Sequence, residues 1–125
     1  MTNKLQVPNG QKTRIYDLEE RTFQFAKNFV FYYKKLPKTV SNIEYGKQGT
    51  RSTGSTGANY IEANEALSKK DFYMRIKICR KEAKESAYWL RLLIETNDDA
   101  YKAEGLELFN EAIELKKIFS SMLPK

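Results

Sequence analysis

Apolar residues recur along most of this chain at steps of three and four, the spacing that lines one face of an α-helix. Phe72, Ile76, Cys79, Ala83, Ser86, Leu90 and Leu93 alternate steps of four and three and predict a long amphipathic helix ending near Thr96. Ser68 suits its N-cap, with Asp71 three residues on. Earlier in the chain, Leu18, Thr22, Phe25, Phe29, Tyr32 and Leu36 form one stripe, and Phe23, Ala26, Val30 and Tyr33 a second beside it. They predict a helix from near Asp17 to Lys35, ended by Pro37. An apolar face that wide implies contacts on two sides, within the fold and across subunits. Near the C-terminus Tyr101, Gly105, Leu108, Ala112, Leu115, Phe119 and Met122 repeat the spacing, after a turn and cap at Asn97, Asp98 and Asp99.

Residues 49–57 crowd Gly, Ser and Thr, which is the composition of a flexible loop. The helical spacing nevertheless runs through them, in Ile43, Gly46, Thr50, Thr53, Gly57, Tyr60, Asn64 and Leu67. Gly49, Gly54 and Gly57 match neither phosphate-binding loop pattern, and no strand-like run precedes them. We therefore expect a helix from Thr39 or Ser41, both good caps, to about Leu67. Its four glycines cost roughly 3–4 kcal/mol relative to Ala. Close packing against a neighbouring helix must offset that. Four such helices with short connections predict an all-α, antiparallel up-down-up-down four-helix bundle over residues 14–123. Residues 1–13, polar and containing Pro8 and Gly10, are expected to form a flexible tail.

With 41% hydrophobic and 30% charged residues, the chain is globular rather than disordered. It has no apolar run long enough to span a membrane and no signal-peptide core at its start. A single cysteine, Cys79, allows no internal disulfide, and the expected location is cytoplasmic. The net charge of +6 is uneven: residues 1–60 hold 10 Lys/Arg against 4 Asp/Glu, and residues 61–125 hold 12 of each. A basic excess suggests a polyanionic partner, RNA or DNA. It nominates Lys34, Lys35, Lys38, Lys47 and Arg51, with Lys69, Lys70, Arg75 and Lys77 as a second group. On the third helix the default is a solvated, salt-bridged face, because Glu82 and Glu85 stand among the lysines.

The absence of histidine removes His-based acid–base catalysis, Ser-His-Asp triads and imidazole-bound zinc. Glu82 and Glu85 have the spacing of a bundle carboxylate site but lack the histidine that di-iron bundles use. No enzyme activity, metal or cofactor is expected. Asn59, Glu62, Glu82 and Glu85 are instead expected to form a structural polar network that sets helix register. Cys79 reads as a small core residue, and Tyr88 and Trp89 as anchors at a junction of surfaces.

Several stretches carry a resemblance. S-T-G-S-T-G-A-N-Y-I-E-A at residues 52–63, S-K-K-D-F at 68–72 and K-E-A-K-E-S-A-Y-W-L at 81–90 resemble the 23S rRNA intervening-sequence proteins of bacteria. D-L-E-E-R-T-F-Q-F-A at 17–26 and L-P-K-T at 36–39 follow the same pattern. The resemblance implies a four-helix bundle assembling as a homopentameric ring, and more distantly a likeness to the accessory protein of diversity-generating retroelements. It points to a non-catalytic, nucleic-acid-binding oligomer. A protein–protein adaptor with incidental charge is the alternative.

Overall fold

A computed structural model describes residues 17–125; the tail expected over residues 1–13 lies outside the described residues. Four helices account for most of these: α1 (Leu18–Lys35), α2 (Val40–Asn64), α3 (Lys69–Glu95) and α4 (Lys102–Ser121). A short 3-10 turn, Asp99–Tyr101, leads into α4. The described residues contain no strand. No helix among them is long and apolar enough to cross a membrane. Both α1 and α3 pack against α2 and α4, so α1 and α3 stand diagonally across one shared core.

Local chemistry places the helix ends. Thr39 caps α2 by accepting a hydrogen bond from the Asn42 backbone N–H at 3.1 Å, and Ser68 caps α3 in the same way from Asp71. Pro37 keeps α1 from continuing. At the junction of the α1–α2 turn with the end of α3, the amides of Asn42 and Asn97 exchange two hydrogen bonds of 2.8 Å. Asn42 also donates to the Pro37 carbonyl, which ties that turn to α3.

The predicted inner stripe of α1 is buried along its whole length, from Leu18 to Leu36. Its second stripe is not: Phe23 is 58% exposed, and Ala26, Val30 and Tyr33 are half-buried. The glycine-rich stretch is helical, as its spacing predicts, but the inward register differs. The buried positions are Asn42, Gly46, Gly49, Thr53, Thr56, Tyr60 and Ala63, with Ser52 beside them. Thr50 and Asn64 face solvent instead, and Leu67, 95% exposed, sits in the turn after the helix. A stripe of glycines, serines and threonines does not discriminate between adjacent registers by hydrophobicity. Contacts with α1 do. A Cβ on Gly46 would enter the Tyr33 ring and one on Gly49 the Phe29 ring; on Gly57 it would stand 2.9 Å from Thr22 Oγ1. Gly46 and Gly49 admit aromatic rings of α1, and Gly57 admits Thr22. Gly54 is the exception, because a Cβ there would meet nothing within 4 Å.

The contact between α2 and α3 includes a polar seam. Ser86 Oγ donates to Ser52 Oγ at 2.8 Å inside the core. Arg51 donates to Glu82 at 3.2 Å and to Glu85, and Arg75 donates to Asn59 at 2.9 Å. Glu82 is the unusual member, with a carboxylate side chain only 8% exposed. Arg51 supplies the counter-charge that makes such burial tolerable. Glu62, expected in the same network, lies on the exposed side of α2.

These contacts set the signs of several substitutions. Gly49→Ala should destabilise by about 1–3 kcal/mol through overpacking against Phe29, whereas Gly54→Ala should stabilise by about 0.5–1 kcal/mol; urea unfolding of the two variants reads the difference in sign. Arg51→Gln should cost about 1–3 kcal/mol, because a buried carboxylate is left without its partner. Lys35→Gln, which removes only an exposed pair with Glu104, should cost under about 1 kcal/mol. Equal costs in the two variants would mean that Glu82 does not depend on Arg51.

Candidate nucleic-acid interface

On α3 the apolar stripe that begins at Phe72 faces inward, so the residues half a turn away face solvent. Lys70, Lys77, Lys84 and Arg91 fall there at intervals of seven. At 1.5 Å per residue they stand about 10.5 Å apart, in a line about 32 Å long. The line drifts only about 20° per heptad around the helix. Lys81 lies beside it, and all five are exposed. The four lysines pair with no carboxylate among the described residues, and Arg91 pairs with exposed Glu95 at 3.2 Å.

Contrary to the expectation of a balanced, salt-bridged face on α3, Glu82 and Glu85 turn toward α2, where Arg51 holds both. They do not stand between the lysines. Apolar groups do: Met74 is 53% exposed and Tyr88 58% exposed. Lys70, Tyr73, Met74, Lys77, Ile78 and Lys81 line a shallow depression of about 520 Å³. A smaller one of about 170 Å³ lies farther along, lined by Tyr88, Arg91, Leu92 and Glu95.

The first nominated group is differently placed. Lys34, Lys35 and Lys38 are exposed around the α1–α2 turn. Lys69 and Lys70 lie beyond the far end of α2, a helix of 25 residues and thus about 37 Å long. The structure does not bring these two clusters together. Several nominated cations already have protein partners: Lys35 binds Glu104 at 3.0 Å, Lys47 stands 4.0 Å from Glu44, Arg51 is held by Glu82 and Glu85, and Arg75 by Asn59. Lys34, Lys38, Lys69, Lys70 and Lys77 are exposed and unpaired among the described residues.

Charge is also polarised across the molecule. A groove of about 660 Å³ between α1 and α4 collects Asp17, Glu20, Glu104, Glu107 and Glu111 around Phe25 and Phe31. Arg21 forks onto Glu111 at 2.7 and 2.8 Å, and Lys35 reaches Glu104, but acids remain in excess there. A polyanion is repelled from that side and attracted to α3.

The one cysteine lies elsewhere. Cys79 is fully buried, and burial pushes its thiol up to about 12, so it is not a reactive group at neutral pH.

Comparison with known proteins agrees with this fold. No curated protein matches the chain. Among solved structures, a crystal structure of a protein of unknown function from the S23 ribosomal protein family of Bacteroides thetaiotaomicron superposes with a TM-score of 0.71. It is 32% identical in sequence over 86% of this chain and 98% of its own. The family described as 23S rRNA-intervening sequence protein matches residues 15–121. A match over nearly all the described helices, together with that neighbour, places the chain in the 23S rRNA-intervening sequence protein family.

Proposed function

We propose that this protein is a non-catalytic, oligomeric, cytoplasmic bundle that binds RNA, or another nucleic acid, through phosphate contacts. The observation that carries the reading is the uncompensated cation line of α3, in which Lys70, Lys77 and Lys84 stand exposed about 10.5 Å apart with no carboxylate between them. The family's description, which links it to an intervening sequence of 23S rRNA, favours RNA. No base-reading module is recognisable, so the contacts fix position and charge rather than sequence. Lys34, Lys38 and Lys69 are secondary contacts in this reading. Lys35, Lys47, Arg51 and Arg75 contribute less, because protein partners already engage them.

The antiparallel up-down-up-down topology is part of the same proposal. Cross-helix pairs support it: Asn42 meets Asn97, Ser52 meets Ser86 and Asn59 meets Arg75, so early α2 meets late α3. Arg21 with Glu111 and Lys35 with Glu104 run the same way between α1 and α4. Assembly with further copies is supported by exposed Phe23 and Ile61, which leave apolar surface between α1 and α2, and by exposed Phe31 beside the α4 groove. A ring of five is the number that the family resemblance implies.

For nucleic-acid binding, the logarithm of affinity for structured RNA should fall linearly with the logarithm of salt concentration. Replacing Lys70, Lys77 and Lys84 by Gln should reduce that slope by about 0.7–0.9 for each phosphate no longer neutralised. Replacing Lys34 and Lys38 should reduce it less. Absence of binding at about 50 mM salt would exclude the reading in favour of a protein–protein adaptor. For assembly, light scattering at micromolar concentration should report an oligomer that Phe23→Ser weakens, and a wild-type monomer would defeat the expectation.

A further inference from the structure

Nucleic acid can present two different surfaces to the outer face of α3. A duplex offers phosphates and hides its bases in the stack, whereas an unpaired strand offers phosphates and the flat faces of its bases. A face built for a duplex needs cations alone. The α3 face has more: two depressions are set into the cation line, one lined by Tyr73, Met74 and Ile78 among lysines, the other by Tyr88 and Leu92 with the Arg91–Glu95 pair. Met74 and Tyr88 are more than half exposed. They lie 14 residues apart, about 21 Å along the helix, with Lys77, Lys81 and Lys84 in between.

Among the described residues nothing covers these apolar groups. The rings of Tyr88 and Trp89 are steeply inclined, with centroids 5.0 Å apart and planes at 75°, and Trp89 in turn stacks on Tyr45. Trp89 and Tyr45 are half-buried, and Trp89 packs against a Tyr88 ring that remains mostly exposed. A ring packed against one neighbour and otherwise open to solvent gives up little freedom when a base stacks on it. The lysines that rim the first depression have stems long enough to follow a backbone that passes over it.

We infer that the outer face of α3 takes an unpaired RNA or DNA strand, with bases seated at the Met74 and Tyr88 depressions and phosphates on the lysines between them. This rests on the nucleic-acid reading proposed above and narrows it to single strands. Charge complementarity favours a polyanion on a face carrying Lys70, Lys77, Lys81 and Lys84, and the subunit-number control below distinguishes it from the acid groove of a second copy. The stacking contact is tolerant of base identity, because every base has a π-face.

The test uses the full-length protein with a labelled single-stranded oligonucleotide, in RNA and DNA versions, and a duplex of the same length. The single strands should bind more tightly than the duplex. Tyr88→Ala should weaken single-strand binding by roughly 5- to 150-fold, leave duplex binding unchanged and leave the salt slope unchanged, because the ring carries no charge. Tyr88→Phe should retain the wild-type affinity. Lys77→Gln should lower the slope for both forms. The position is exposed on a helix, so the alanine variant is expected to fold, and its subunit number by light scattering serves as the control. Equal or tighter binding of the duplex, with no effect of Tyr88→Ala, would overturn the single-strand inference while leaving phosphate binding intact. A change in subunit number in Tyr88→Ala would overturn it as well, by showing the ring to be a subunit contact. Failure of either form to bind at about 50 mM salt would instead remove the nucleic-acid reading beneath it.

Discussion

Phe29 and Tyr33, nearly parallel with ring centroids 6.4 Å apart, rest where Cβ atoms of Gly49 and Gly46 would otherwise be. Much else in the fold depends on that approach. It lets α1 lie closer to α2 than side chains of ordinary size permit. It commits the glycine-rich segment to a helix that its intrinsic propensity disfavours. It also sets the rotation of α2, and hence which of its residues reach α3. With Gly46 and Gly49 under α1, Ser52 falls against Ser86 and Arg51 against Glu82 and Glu85. The hydrogen-bonded seam between α2 and α3 follows from the aromatic contact on the other side of α2.

That seam has a consequence for the surface. By drawing Glu82 and Glu85 toward Arg51, it strips the outer face of α3 of the acids that neighbour its lysines in sequence. A helix whose charges are mixed in sequence becomes basic on one side. Meanwhile the carboxylates of α4 gather with Asp17 and Glu20 along the groove against α1. The protein is therefore electrically two-sided, and an anionic polymer has one favoured approach. The apolar groups set into the basic side give that approach a second chemical component, which phosphate alone does not use.

Most of the architecture is legible in the chain because helices advertise themselves by period. The stripe of α1 from Leu18 to Leu36 is buried as its spacing predicts, and so are Ile76 to Leu93 on α3 and Gly105 to Phe119 on α4. The cap at Ser68 is readable for the same reason, whereas the sequence leaves Thr39 and Ser41 open and the fold selects Thr39. The inward register of α2 is not legible. Residues as small as Gly, Ser and Thr carry almost no hydrophobic contrast, so spacing alone puts Thr50 and Leu67 on a stripe that in the fold belongs to Gly49 and Ala63.

The candidate interface shows the same division. Cations at positions 70, 77, 84 and 91 repeat at the heptad interval, a signal present in the chain as written. Taking the second half of the chain as one neutral block averages that line against the acids of α4 and obscures it. Even read helix by helix, the sequence places Glu82 and Glu85 next to Lys81 and Lys84 and leaves their partners undetermined. By itself it determined four amphipathic helices, the Ser68 cap of α3 and the absence of histidine chemistry, because each depends on local spacing or composition. Only the tertiary structure decided which aromatic ring fills which glycine notch, which carboxylates Arg51 takes from the surface and which lysines remain uncompensated. Arg51 meets its two carboxylates across 31 and 34 positions of sequence, and no local pattern encodes a distance across the fold.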